Sequence, residues 1–243
     1  LRVEARHHDN RPLERAALAA LLALGLLLAL VAALDWLLRP EHFPVRNVRF
    51  EGDFTRVSHA ELGRAVGDVV RGNFLLVDLE AVRGRVEALP WVYRADVRRA
   101  WPLDVAVRFE TQRIVARWGQ TAYVNHAGEA VKLPQAEVAD DLPRLEGPEG
   151  TSALVLESWQ RFAPILAATG LALRCVALTP RRTFELETAE GMVLVLDREA
   201  PQQKLERFAR AAQRVRTADI RRVDLRYANG FAVEWRPGVQ QGG

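Results

Sequence analysis

Hydrophobic positions follow three different patterns along the chain. From Ala16 to Leu34, nineteen consecutive residues carry neither a charge nor a hydrogen-bonding side chain, and Leu37 and Leu38 extend the run past Asp35 and Trp36. At 1.5 Å per helical residue this stretch covers roughly 28 Å, close to the thickness of bilayer hydrocarbon. Trp36 and Arg39 stand where an interfacial aromatic and a snorkelling cation belong. Val31 and Ala33 would suit a signal-peptide cleavage site, but the apolar region of such a peptide spans only about 7–15 residues. The pattern therefore predicts an uncleaved transmembrane helix over residues 16–38. Arg2, Arg6, Arg11 and Arg15 precede it, and Arg39, Arg46 and Arg49 follow. This slight bias predicts a cytoplasmic tail, residues 1–15, and an exported bulk.

Beyond a short stalk ending at His42-Phe43-Pro44, the pattern changes to alternation. Val48-Arg49-Phe50 predicts a strand closed by Glu51-Gly52. Ser58-His59-Ala60-Glu61 is a capping box, followed by Leu62, Ala65, Val66 and Val69 at helical spacing. Gly72-Asn73 breaks that helix. A second helix starts at Asp78, buries Val82, Val86 and Leu89, and stops at Pro90. Two strands follow, Val92–Ala100 and Leu103–Glu110. In the latter, Leu103, Val105, Val107 and Phe109 are expected to point inward, and Asp104, Arg108 and Glu110 outward. The predicted order, β-α-α-β-β, makes a small first domain over residues 43–118.

Residues 119–236 read as a larger α+β domain with a mostly antiparallel sheet. Tyr123-Val124 and Ala130–Leu133 flank a turn at Gly128, and the polar, proline-bearing stretch 134–150 is expected to wrap the surface. A helix over Leu154–Thr169 contains Pro164 and stops at Gly170. Strands are expected at Leu171–Leu178, Thr183–Thr188 and Met192–Asp197. Pro201 then opens a helix with Leu205, Phe208, Ala209, Ala212 and Val215 on one face. The last signal is a hairpin: Val223, Leu225 and Tyr227 alternate, Asn229-Gly230 turns, and Phe231, Val233 and Trp235 alternate. Residues 237–243 read as a flexible tail.

Charge and chemistry narrow the function classes. Of 34 basic residues, 32 are Arg and two are Lys, set against 31 acidic ones, so the net charge is only +3. The first domain carries 13 basic and 10 acidic groups and the second 16 of each, which excludes a phosphate-binding surface built on bulk charge and argues against a nucleic-acid partner. The single Cys175 rules out an internal disulfide, and it lies in an alternating strand where a buried apolar role is expected. No Gly-x-Ser-x-Gly, His-Glu-x-x-His or phosphate-loop motif occurs. His7, His8, His42, His59 and His126 are scattered, and the adjacent carboxylates Asp140-Asp141 read as a solvated turn. We expect no catalytic residue, no cofactor, no metal and no small-molecule substrate.

The layout and several local stretches resemble the FtsQ/DivIB family of bacterial cell-division proteins. They are Val45–Gly52, Gly72-Asn73-Phe74 into Val77-Asp78, Leu89-Pro90-Trp91-Val92, Val97-Arg98-Arg99-Ala100-Trp101-Pro102 and Ala116-Arg117-Trp118. Thr179-Pro180-Arg181-Arg182-Thr183-Phe184 and Val223-Asp224-Leu225-Arg226-Tyr227 extend the likeness to about residues 15–236. The chain departs from the family's pattern at Ala228-Asn229 and Phe231.

The resemblance implies a POTRA-like first domain, a single-pass inner-membrane location with the bulk periplasmic at the division septum, and a scaffold without catalytic activity. It further implies binding to FtsB and FtsL and, through them, a link to the septal peptidoglycan synthases FtsW and FtsI. On that implication Tyr227, Asn229, Gly230, Phe231 and Trp235 form the edge that receives FtsB, with Arg182, Arg226 and Arg181 pairing with its acidic side chains. Val97 and Arg99 would lie on a recruitment surface of the POTRA-like domain. The alternatives are a POTRA-containing envelope-assembly or secretion adaptor, and a membrane-anchored hydrolase that would need His126, Asp140 and Asp141 together in a cleft.

Overall fold

The computed structural model describes residues 11–39, 41–134 and 141–237. It divides into two compact units between Thr111 and Gln112, each with its own sheet. In the first unit, α1 (Arg11–Leu38) is the long apolar helix. None of its apolar window Leu18–Leu38 is buried in the protein, whereas the core helix of a soluble protein would be mostly covered. Its leucines need another apolar solvent, and a bilayer supplies one.

After α1 come β1 (Asn47–Glu51), α2 (His59–Val66), α3 (Leu79–Glu87), β2 (Val92–Ala100) and β3 (Asp104–Thr111). Both helices start for local reasons. Ser58 and Glu61 close the capping box, and Asp78 accepts from the Glu80 and Ala81 amides. Leu62 and Val66 of α2 and Val82 and Val86 of α3 are buried with Phe74, Val105, Val107 and Phe109. Among the described residues the sheet order is β1-β3-β2, with β3 parallel to β1 and antiparallel to β2.

Asp104 corrects the expected alternation, since it is buried instead of facing outward. It stands opposite Asn47 in the β1–β3 register, accepts from Asn47 Nδ2 at 3.1 Å and pairs with Arg49. The hydrogen bond from Arg49, then that from Asn47, hold its carboxyl below the usual range. Gly52, just beyond β1, is required by close approach. A Cβ there would lie 2.5 Å from the Phe109 carbonyl oxygen and 2.8 Å from its ring. We expect Gly52→Ala to destabilise this unit by about 1–3 kcal/mol, read by thermal unfolding.

The second unit contains β4 (Ile114–Trp118), β5 (Ala122–Asn125), β6 (Ala130–Val131), β7 (Arg144–Glu146), α4 (Ser152–Ala167), β8 (Leu173–Leu178), β9 (Phe184–Thr188), β10 (Val193–Leu196), α5 (Pro201–Ala212), β11 (Ile220–Asp224) and β12 (Ala232–Trp235). Among the described residues these strands form one sheet in the order β12-β11-β10-β9-β8-β7-β4-β5-β6. Phe162 of α4 and Leu205 and Phe208 of α5 are buried with Leu145, Val176, Leu186 and Leu194 of the strands.

Two expectations change here. Residues 112–118, read as the end of the first domain, supply β4 to the larger sheet. Part of 134–150, read as surface wrapping, is β7, which lies between β4 and β8 and runs parallel to both. Three residues are too short to display alternation. The fully buried Leu145 and the bonds Arg117 N to Pro143 O and Gly119 N to Leu145 O nevertheless draw the segment into the sheet.

Candidate partner-binding edge

β12 ends the larger sheet. It pairs antiparallel with β11 through Ala232–Asp224, Val233–Val223, Glu234–Arg222 and Trp235–Ile220. Among the described residues no strand pairs with its other side. The Arg236 amide donates to Asp219 O at 2.9 Å, toward β11. Backbone groups alternate along an antiparallel strand, so the Glu234 and Ala232 amides also face β11, and those of Val233 and Trp235 face outward. The side chains of Val233, Trp235 and neighbouring Phe231 pack partly on the core, while Ala232 and Glu234 are exposed. The edge thus offers a backbone template held from behind by apolar side chains.

The turn into this strand differs from the tight Asn-Gly hairpin expected from the sequence. β11 ends at Asp224, and residues 225–231 form a seven-residue loop. Leu225 still donates to Val195 O of β10 and is fully buried, whereas Tyr227 has left the sheet and is 58% exposed. α5 holds the loop open. Lys204 Nζ binds both Asp197 oxygens at 2.7 Å and Arg226 O at 3.2 Å, and Arg207 donates to Ala228 O at 2.6 Å and Tyr227 O at 3.3 Å. Phe231 returns against Phe208 in an edge-on contact with centroids 5.9 Å apart. Neither Lys204 nor Arg207 was singled out from the sequence. For Lys204 a signal existed, because it lies one helical turn before Phe208 on the buried face of α5.

The structure sorts the eight expected edge residues into separate places. Tyr227, Asn229, Gly230 and Phe231 line one open depression of about 450 Å³. Trp235 lies at the far end of β12, half-buried. Arg181 and Arg226 share a second depression of about 320 Å³ with Arg222 and Glu185. Arg182, with a left-handed φ of 62°, lines a different groove beside Leu154, Phe162 and Phe184.

Arg226 is already engaged. Its guanidinium binds Asp224 at 2.6–3.1 Å, and this pairing holds the Asp224 carboxyl below the usual range. Arg222 likewise binds Glu185 at 3.1 Å. The lowered Asp224 value fixes a pH dependence. Its contribution is complete above the ordinary carboxylate pKa of about 3.9 and is lost as pH falls through the lowered folded value. Acid titration should therefore lower the protection of the amides in residues 225–231 relative to their intrinsic exchange rates, and Asp224→Asn should remove that acid-dependent step.

Cys175 is buried in β8, where burial pushes its thiol up, the opposite of what an activated nucleophile needs. Asp140 lies outside the described residues, and among the described residues no group of His, Cys, Asp and Glu could hold a metal. In the first unit, Val97 is half-buried on β2. Arg99 is exposed, and its guanidinium donates to Phe74 O, Leu75 O and Val77 O at 2.8–3.1 Å, bracing that loop.

Both units match known family models. Residues 43–110 match the POTRA domain, FtsQ-type, and residues 116–226 match Cell division protein FtsQ/DivIB, C-terminal. Similar proteins include the cell division protein FtsQ of Shewanella oneidensis, 34% identical over 79% of this chain and 74% of its own. That of Coxiella burnetii is 30% identical over 94% of this chain and 96% of its own, and that of Burkholderia pseudomallei 34% identical over 89% and 90%. An apolar helix whose membrane-length window is unburied, a POTRA-type domain and a large open-edged sheet follow one another along the sequence, and the chain belongs to the FtsQ family of bacterial cell-division proteins.

Proposed function

We propose that the chain is a non-enzymatic scaffold of the division machinery that receives a strand of FtsB along the outer side of β12. In this reading α1 anchors it in the inner membrane, with the N-terminus cytoplasmic and the folded bulk periplasmic at the septum. FtsB and FtsL then connect it to FtsW and FtsI.

The observation that supports the reading is the unpaired outer side of β12, entered from a loop that carries the exposed Tyr227 ring. An added strand gains affinity from such a backbone row and specificity from side chains next to it. Tyr227 is a rigid aromatic with little structure of its own to lose, the type of group that dominates small interfaces. The test is co-purification of the full-length protein in detergent with the periplasmic part of its own FtsB. Tyr227→Ala should leave the fold intact by circular dichroism and weaken binding about tenfold, equivalent to ~1.4 kcal/mol. Unchanged affinity would remove Tyr227 from the interface, and absence of any binding by folded wild-type protein would overturn the scaffold reading.

A further inference from the structure

The first unit contains an apolar surface that its own core does not use. Leu76 is 62% exposed and Trp101 76% exposed, although both flank buried structure. They belong to one corner of the unit. Leu76 lies in the loop after Asn73, and the Trp101 ring meets the buried Phe74 ring edge-on with centroids 5.6 Å apart.

That corner is bonded to the end of α1. Asn73, itself buried, donates from Nδ2 to Leu37 O at 2.8 Å and Arg39 O at 3.1 Å, satisfying carbonyls at the helix C-terminus. The Phe74 amide donates to Phe43 O at 2.7 Å, and Trp36 packs on His42 and Phe43 with centroids 4.4 and 5.8 Å apart. Arg99 braces the same loop by its three bonds to carbonyls of residues 74–77. The loop is therefore held at the level of the last helical turn, where hydrocarbon gives way to headgroups.

Charge supports the same placement. Arg71 is exposed two residues before Asn73. Arg46, also exposed, donates its amide to Leu103 O beside the Trp101 turn. Exposed Leu and Trp side chains flanked by arginines fit the boundary between acyl chains and phosphates, where apolar groups insert and guanidiniums meet phosphate oxygens.

We infer that Leu76 and Trp101 form a foot by which the POTRA-type unit docks on the phospholipid surface around its own anchor, with Asn73 fixing the unit to the helix end. The foot makes the first unit a membrane-seated platform, and its opposite end, at Glu110, remains in water. The inference rests on α1 being a membrane anchor, and the experiment separates the two.

Full-length protein carrying Cys175→Ser receives one new cysteine at Leu76, Trp101, Glu110 or Leu28, is labelled with an environment-sensitive fluorophore and is placed in vesicles of phosphatidylethanolamine and phosphatidylglycerol. Labels at 76 and 101 should be blue-shifted and quenched by lipid brominated high on the acyl chain. The label at 28 should be quenched by lipid brominated near its end, and that at 110 should behave as in water. If 28 is deep but 76 and 101 match 110, the foot is wrong and the anchor stands. If 28 is also in water, the anchor itself fails. A further variant, Asn73→Ala, should let the labels at 76 and 101 move toward water while 28 stays deep; labels unmoved by it would overturn the role given to Asn73.

Discussion

Val233→Pro should abolish FtsB binding while leaving the domain folded. The Val233 amide faces away from β11, so proline deletes no bond of the sheet. An edge strand also tolerates the fixed backbone angle of proline. A docking strand, in contrast, loses a hydrogen bond and meets a ring at the centre of its template. The expected loss is about 100-fold or more, equivalent to ~2.7 kcal/mol. Glu234→Pro, one residue on, removes an inward amide and should instead reduce thermal stability. Isothermal titration of the full-length protein in detergent, with circular dichroism for each variant, distinguishes the two effects.

The second large effect concerns the lysine that holds the loop. The Lys204 side chain is 10% exposed and that of Asp197 33%. Asp197→Ala leaves an ammonium buried with only a carbonyl for company, and we expect it to cost about 3 kcal/mol. Lys204→Met fills the same space with an apolar chain and leaves a carboxylate that water can still reach, so its cost should be under about 1 kcal/mol. The asymmetry has a functional side. Lys204→Met removes the donor to Arg226 O, so even this nearly neutral substitution should weaken partner binding by loosening residues 225–231. Chemical denaturation measures the first difference and titration with FtsB the second. Equal destabilisation by the two variants would contradict the cost assigned to the unpaired ammonium.

Legibility in the sequence followed the range of the forces involved. The β-α-α-β-β unit could be read because its devices are local: the Ser58–Glu61 box, the Asp78 cap and the alternation of Val105, Val107 and Phe109. The apolar run of α1 was legible for the same reason. β7 was not, because three residues carry no period and its place depends on partners more than twenty residues away, such as Val176 opposite Leu145. Asp104 escaped because alternation assigns a face and says nothing of a carboxylate satisfied by Asn47 and Arg49 across the strand.

The edge itself was legible only in part. Hydrophobic alternation identified β12 and its pairing with β11. The Asn229-Gly230 signal suggested a tight turn, but α5 imposes a wider loop through Lys204 and Arg207, an interaction fixed by tertiary packing. The same limit explains the arginines. The family resemblance gave Arg226 and Arg182 one role, whereas Asp224 engages one and a left-handed turn carries the other into a separate groove.

The central claim, that β12 accepts a strand on its outer side, is tested most directly by amide hydrogen exchange of the full-length protein with and without the periplasmic part of FtsB. The Glu234 amide should be slow in both states, and the Val233 and Trp235 amides should be fast alone and slow in the complex. Binding that protects amides elsewhere, in β6 or β2 for example, while Val233 and Trp235 stay fast would contradict the account.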